Sequence, residues 1–337
     1  MLAIITDALV SVSKYTKRDT LRKGGEFVTR YIIRRLIQLI PVLIGISIIT
    51  FLMMSFVPGD PVTLMLGQHI TPQAAENIRQ ELGLDQSLVI RYLHYLGNIV
   101  QGDFGRSYIQ HQEVTQMLRD KIPVTFQLTL VAIFIAVIFG VLIGILSSVK
   151  QYSFWDSFAT FFAMTGVSIP TFWLGMMLQL IFGVVLHILP VSGIGGGGFQ
   201  LQYYILPGFA LGFSSMAMYV RLTRSSMLEV IRQDYIRTAR AKGLSGRVVI
   251  FKHAMRNALI PVATQAGIDF AGLMGGAILT ETIFSLPGIG SMLYFSISRR
   301  DYPVVQGVTL FMALVFVIIN LLVDISYAVL DPRIRYD

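Results

Sequence analysis

Apolar residues gather into long runs separated by polar, charge-bearing segments. The runs are Leu36–Val57, Val124–Val149, about Phe161–Leu189, Ile205–Leu222, Leu259–Ile283 and Gly307–Leu330. The first holds 22 residues, enough at about 1.5 Å each to cross a hydrocarbon core of about 30 Å. Six such runs predict an all-α polytopic membrane protein with about six transmembrane helices. The first run is too long for a signal-peptide core and no A-x-A site follows it, so it reads as a retained helix. The third contains Gly166 and Pro170. It is expected as one span with a kink, because proline frees a carbonyl that a neighbouring helix can re-satisfy.

Composition agrees with the runs. Hydrophobic residues make up 54% of the 337 and charged residues 14%, against about 25% charged in a soluble domain. The net charge of +8 would suit a nucleic-acid partner, but the basic residues flank apolar runs and line no continuous polar face. Charge of that kind sets topology, and no nucleic acid is expected. The chain has no cysteine, which excludes disulfides, thiolate metal sites and cysteine nucleophiles.

The polar segments fix an orientation. Eight Lys or Arg fall in 1–35, one at Lys150, nine in 221–256 and two at Arg333 and Arg335, whereas 58–123 holds five and the 284–306 loop two. The basic-inside bias places both termini in the cytoplasm of a multi-pass cell (plasma or inner) membrane protein. Residues 1–29 form a basic cytoplasmic arm and 30–337 a transmembrane domain. The external loop 58–123 carries a helix signal, with Thr71 as N-cap, Pro72 at the first position and Gly83 as stop, and reads as a small packed cap. The GIGGGG run at 193–198 lacks the Lys-Ser/Thr of a phosphate-binding loop. Gly272–Gly276 (GLMGG) supplies small residues for close helix packing.

The cytoplasmic loop 223–258 is the segment with chemistry to explain. Met227, Val230 and Ile231 share a helical face with Tyr235 and Ala239 nearby, and a second helix runs from about Arg247 to Asn257. The pattern is a short basic helix–turn–helix tethered at both ends to spans. A loop that is basic only because it is cytoplasmic would satisfy the charge rule. Against that, Ala239, Ala241 and Gly243 let another surface approach the backbone, and Tyr235, Val249 and Phe251 suit a partner's groove.

The run DYIRTARAKGL (Asp234–Leu244) followed by KHAMRNALIPV (Lys252–Val262) resembles the EAA loop of binding-protein-dependent ABC importers. It is most similar to the B-type permease of the peptide/nickel group, which serves dipeptide, oligopeptide and glutathione import. The resemblance extends from about Tyr31 onward, through PGDP (Pro58–Pro61), GLDQSL (Gly83–Leu88), YLGNIVQGDFGRSY (Tyr95–Tyr108), ETIFSLPGIG (Glu281–Gly290), RDYPVVQ (Arg300–Gln306) and LDPRIRY (Leu330–Tyr336). Aligned on Gly243, the broad Glu-Ala-Ala pattern falls on Arg237-Thr238-Ala239 and its later proline on Arg256. Only Ala239 and Gly243 therefore carry over from the broad pattern, while TARAKG matches the subgroup. The arm 1–29 has no expected counterpart.

The resemblance implies an ABC importer (type I) permease fold and an ATPase-coupling loop carried by Tyr235, Thr238, Ala239, Arg240, Ala241, Lys242, Gly243, His253 and Arg256. It implies a homologous second permease, one or two ATP-binding cassette ATPases and an external substrate-binding protein as partners, in a lipid membrane. ATP and Mg would sit on the ATPases, with no cofactor on this chain. That fits the absence of G-x-x-x-x-G-K-[ST], and the chain is not expected to be an enzyme. The expected cargo is a di- or oligopeptide, with glutathione or a nickel complex as alternatives. An ion-coupled secondary transporter is the rival of another class. It would call for inverted repeats, which are not evident, and would leave the basic loop without a purpose.

Polar residues within spans are costly in lipid and mark a path: Gln127, Gln179, Gln265, Asp269, Glu281, Asn320 and Asp324, of which Gln179, Gln265, Asp269 and Glu281 are the translocation-path candidates. Asp269 is either a substrate- or water-facing carboxylate or an interhelical hydrogen-bonding group at a subunit contact. Glu281 and Asp324, nearer helix ends, suit structural roles better. The five histidines show no i, i+4 pairing and suggest no metal site.

Overall fold

The computed structural model describes residues 18–56, 84–196 and 198–330, with positions 62, 73, 76 and 79. The expected signals at Thr71, Pro72 and Gly83, Pro58–Pro61, residues 1–17 of the arm, the terminal 331–337 and the side chain of Asp324 lie outside the described residues. Among the described residues there is no strand, only an isolated bridge between Arg106 and Glu113.

Helix α1 (Arg18–Phe56) leads into the membrane and α2 (Leu88–Val100) lies in the following loop. Next come α3 (Val114–Val149), α4 (Phe154–Ser168), α5 (Thr171–Val185) and α6 (Gln202–Ile231). The basic loop folds as α7 (Asp234–Ala241) and α8 (Gly246–Ala258). The chain then continues through α9 (Ile260–Gly276), α10 (Ile278–Ile283), α11 (Ile289–Ser298) and α12 (Tyr302–Leu330). Among the described residues four helices are long and apolar enough to span alone, or up to six if the bent pairs α4–α5 and α8–α9 each make one broken span.

The third apolar run is not a single kinked span. Its two halves meet at 105°, far more than a proline kink within a continuous helix. Ile169 is extended at φ −79°, ψ 124°, as expected of a residue whose helical conformation is blocked by the ring of the following proline. Pro170 then starts α5 without an N–H of its own.

Helices α3 and α6 form the spine, and glycine sets their separation. Gly140 and Gly144 face Tyr219 and Thr223, while Gly208 and Gly212 face Val131 and Ala132. A Cβ on Gly212 would lie 2.5 Å from the Ala132 carbonyl oxygen. Each helix thus carries a small-x-x-x-small pair that lets the backbones touch. In the expected packing segment Gly272–Gly276, no atom among the described residues lies within 4 Å of a Cβ placed on Gly272 or Gly275. Helix α4 lies on α6, α9 on α12, and α12 on α1.

At the end opposite the basic loop, a separate core joins Val114, Met117 and Leu118 of α3 to Ile289, Met292 and Leu293 of α11 and to Val304, Val305 and Val308 of α12. Asp301 ties residues 101–113 onto this core. Its carboxylate accepts from the Ser107 hydroxyl and, at 3.0 Å, from the Tyr108 N–H. Beside this buried carboxylate, loss of water around the Tyr108 phenol raises its pKa to about 12, with Arg91 opposing the shift.

Candidate functional site

The basic loop is a compact helical hairpin. Ile236 and Ala239 of α7 are buried against Val249, Ala254 and Ala258 of α8 and against Met227 of α6. Ala239 and Val249 therefore fill the chain's own core. They do not offer close approach or a groove-filling side chain to a partner, because Ala239 lies one turn from Ile236 on the buried face of α7 and Val249 is buried in the same cluster from α8. Asn257 donates to the Tyr235 hydroxyl at 2.8 Å, bracing the two helices.

Gly243 works through its backbone. Its φ of +76° ends α7: its N–H donates to the Arg240 carbonyl at 3.0 Å and the Leu244 N–H to that of Ala239 at 3.4 Å. This 5→2 and 6→1 pairing closes a helix with a left-handed residue, where glycine pays no Cβ penalty. No atom lies within 4 Å of the position of a Cβ there.

The exposed face carries Thr238, Arg240, Ala241, Lys242, Gly243 and Arg256, with His253 half-buried. Tyr235, Leu244, Val248 and Phe251 are large apolar groups left uncovered on this surface. The hairpin thus presents an apolar patch within a set of cations. The Arg237–Asp234 pair, at 3.8 Å and open to water, adds little to its stability.

The four path residues separate into two kinds. Asp269 is half-buried, accepting from the Tyr219 hydroxyl at 2.7 Å and from the Gln265 amide at 2.9 Å. Both donors are neutral. Gln179 and Glu281 hold the chain together instead. The Gln179 amide donates to the Val191 and Ile283 carbonyls at 2.8 and 3.0 Å. Glu281 is wholly buried and caps α11 from outside that helix. It accepts from the Thr125 hydroxyl at 2.6 Å and the Ser291 N–H at 2.8 Å, while the Ile289 N–H donates to the Thr125 oxygen at 2.8 Å. The first N–H groups of a helix lack intrahelical partners, and the Thr125 and Glu281 oxygens supply acceptors to two of them. A Cβ on Gly288 would lie 2.3 Å from the Glu281 carboxyl carbon, so ETIFSLPGIG reads as a carboxylate wrapped by its own loop. Glu281 also lines a cavity of about 380 Å³ with Gln110, Asp120, Lys121, Arg299 and Asp301. Of the remaining polar residues, Gln127 accepts from the Tyr204 hydroxyl at 2.9 Å and Asn320 donates to the Phe316 carbonyl at 2.8 Å.

One cluster near the basic loop joins residues far apart in sequence. Asp156, at the start of α4, pairs with Arg224 of α6 through Nε at 2.7 Å and Nη2 at 2.9 Å. It also accepts from Ser147 at 2.6 Å and the Tyr152 N–H at 3.0 Å. The available signal was an acid in the first turn of a helix, a favourable place for negative charge. In sequence Arg224 is one of nine basic residues of 221–256 and carries no mark of a partner. Among the described residues no group of three or more His, Asp or Glu could hold a metal ion.

Residues 136–336 match the model of the binding-protein-dependent transport system inner membrane component, and 28–129 match that of its N-terminal part. The chain belongs to this family. It is the membrane-spanning permease of an ABC importer, a transport component of a multi-pass inner-membrane system. The dipeptide transport system permease protein DppB of Alkalihalophilus pseudofirmus is 44% identical over 330 residues, covering 91% of this chain and 99% of that one. The glutathione transport system permease protein GsiC of Escherichia coli (strain K12) is 43% identical over 306 residues, with the same coverage. A solved inward-facing structure of the MetNI methionine ABC transporter shares the fold, with TM-score 0.50 and 17% identity over 64% of this chain and 97% of that chain.

Proposed function

We propose that this permease translocates di- or oligopeptides handed over by an external substrate-binding protein. It pairs with a homologous second permease and is driven by one or two ATP-binding cassette ATPases that carry ATP and Mg, with no cofactor on this chain. The observation that carries the reading is the hairpin: a rigidly packed element presents Tyr235, Leu244, Val248 and Phe251 among cations, the anatomy of a docking surface. The basic bias supports a cytoplasmic position for that hairpin and for both termini, where ATPases would reach it.

The mechanism is a two-state bundle biased from another chain. Closure of the ATPases moves α7 and α8, which share one core with α6 and with Val262 of α9. The Asp156–Arg224 clamp makes α6 move with the adjoining ends of α3 and α4. Asp269 and Gln265 lie on the path, where the half-exposed carboxylate meets water or the ammonium group of a peptide. Glutathione is the second reading, favoured by the relative named for its transport.

The test is purification of the tagged chain in mild detergent, identification of its partners by mass, and uptake of labelled dipeptide with glutathione as competitor. Recovery of a second permease and an ATPase, with dipeptide uptake unaffected by glutathione, is the expected result. A chain that purifies alone overturns the partner reading, and uptake of glutathione alone overturns the peptide reading.

A further inference from the structure

Helix α2 (Leu88–Val100) belongs to a loop expected to form a water-facing cap, yet its surface is that of a membrane helix. None of its residues is fully buried. Its inner face rests on α1: Tyr92 shares a hydrogen bond of 2.9 Å with Ser47. Phe51 meets the rings of Tyr92 and Tyr95 at 5.4 and 5.8 Å. Arg91 lies over the Phe51 ring at 5.8 Å.

The depth of these contacts is informative. The apolar window of α1 is Ile37–Phe56, with Arg34 and Arg35 flanking its other end. Ser47 sits nine residues inside Phe56, about 13 Å along a helix rising about 1.5 Å per residue. A helix in contact with Ser47 therefore lies beside the apolar part of α1, below the level where α1 leaves the bilayer. At that depth a surface that faces neither protein nor acyl chains would need water, which the hydrocarbon does not hold.

The residue pattern around α2 fits that location. Arg91, His94 and Asn98, spaced i, i+3 and i+7, form a single polar stripe. Val89, Leu93 and Val100 form a second stripe, 68%, 57% and 82% exposed, flanked by Ile90. On α1 the neighbouring Ile48, Ile49, Leu52 and Met53 are likewise uncovered, so the apolar face of α2 continues that of a spanning helix. One narrow polar stripe and a broad apolar face on a short helix is the signature of an element lying in the plane of a bilayer, its apolar side roughly 5–10 Å into the headgroup–acyl boundary.

We propose that α2 is an in-plane helix embedded in the leaflet opposite the basic loop, with Val89, Leu93 and Val100 packed against lipid acyl chains, His94 and Asn98 turned to the headgroups and water, and Arg91 at the edge between that polar side and the Phe51 ring of α1. It widens the lipid-facing perimeter of the permease at the foot of the 101–113 loop, and so fixes the height of that loop relative to the membrane.

The lack of cysteine makes the test direct. Val89→Cys, Leu93→Cys, Val100→Cys, Asn98→Cys and, as an aqueous reference, Tyr152→Cys are each placed in the full chain. They are reconstituted with the co-purifying subunits in phosphatidylethanolamine/phosphatidylglycerol vesicles and labelled with a nitroxide, with the unsubstituted complex as background. The expected result is a several-fold excess of collision with oxygen over a water-soluble nickel chelate at positions 89, 93 and 100, reversing at 98 and 152. Free chelate access at 89, 93 and 100 overturns the proposal in favour of an aqueous cap. Protection from both reagents also overturns it, in favour of cover by another polypeptide.

Discussion

Replacing Arg224 with alanine tests whether the helix ends beside the basic loop are locked together. Asp156 accepts four hydrogen bonds, two of them from the Arg224 guanidinium, and its side chain is 8% exposed against 31% for Arg224. Removing one partner of a buried pair costs roughly 3–5 kcal/mol, because the other charge is left uncompensated. Here the space vacated by the guanidinium opens to solvent, and Ser147 and Tyr152 still donate, so Arg224→Ala is expected to cost about 2–3 kcal/mol. Asp156→Ala leaves a guanidinium that reaches water more easily and is expected to cost less, about 1–2 kcal/mol. The double variant leaves no buried charge and is expected to be no less stable than Arg224→Ala alone. The assay is loss of the monodisperse complex on heating, followed by fluorescence-detected size exclusion for all four proteins, with substrate uptake measured alongside. The order Arg224→Ala below Asp156→Ala, with strong non-additivity, is the outcome the geometry requires. Additive losses, or an Arg224→Ala complex as stable as the parent, would refute the clamp.

Glu281→Gln keeps the shape but puts an NH2 group where two donors converge. It is expected to cost about 1–3 kcal/mol and to lower the same heating midpoint, and rescue by Glu281→Asp is not expected because the shorter side chain does not reach the start of α11. Gly243→Val forces a β-branched residue to φ +76°, at a cost of about 1–2 kcal/mol or more. ATPase-driven uptake should fall while membrane insertion, read by immunoblot of membranes, is unchanged. Phe251→Asp, at an exposed site, should reduce co-purification of the ATPase without moving the heating midpoint; full recovery of the ATPase would remove the hairpin from the docking surface. Asp269→Asn should lower uptake of cationic or zwitterionic peptide several-fold while leaving stability within about 0.5 kcal/mol, as expected for a group held by two neutral donors; unchanged uptake would make Asp269 a structural residue.

The architecture was legible because lipid imposes a length rule that soluble proteins lack. Each of the six runs had to satisfy its own backbone hydrogen bonds, so apolar length alone predicted a helix. The hairpin was legible for a related reason, since Met227, Val230 and Ile231 share a helical face and the small residues from Ala239 to Gly243 mark the turn that follows. What periodicity does not distinguish is a small residue that admits a partner from one that admits the chain itself. Ala239 and Gly243 look alike in sequence, but one is buried and the other is needed for its φ. The same ambiguity attends close packing: GLMGG and the glycines at 140, 144, 208 and 212 are both small-residue patterns, and only the contacts across α3 and α6 show that the latter pack within the chain. Pro170 was visible, but the 105° turn it starts depends on where α5 finds room, which is a tertiary property. Asp156, Glu281 and Thr125 were unreadable as a set because their partners lie 68, 10 and 164 residues away.

The hairpin and Asp269 are joined by one continuous core. Ile236, Ala239 and Val249 of the hairpin pack in the same cluster as Met227, Tyr219 and Phe213 of α6 and Val262 of α9, and Tyr219 is the residue whose hydroxyl holds Asp269 at 2.7 Å. Protein interiors are close-packed and yield little under strain, so a shift of α7 relative to α6 cannot be absorbed locally at Ile236 or Met227. The spine between α3 and α6 is equally unyielding, since Gly140 already lies against Tyr219. The remaining freedom lies at the breaks, namely the 48° bend between α8 and α9 and the wide i→i+5 turns over Val249–Ala254 and Gln179–Val185. Wide turns of this kind interrupt helices at functional sites, and here one lies in the hairpin and the other begins at Gln179. Motion delivered to the hairpin is therefore expected to turn α9 about its bend and change how far Asp269 sits from Tyr219. A bundle with a rigid spine and three flexible joints can switch a carboxylate between held and released without unpacking its core.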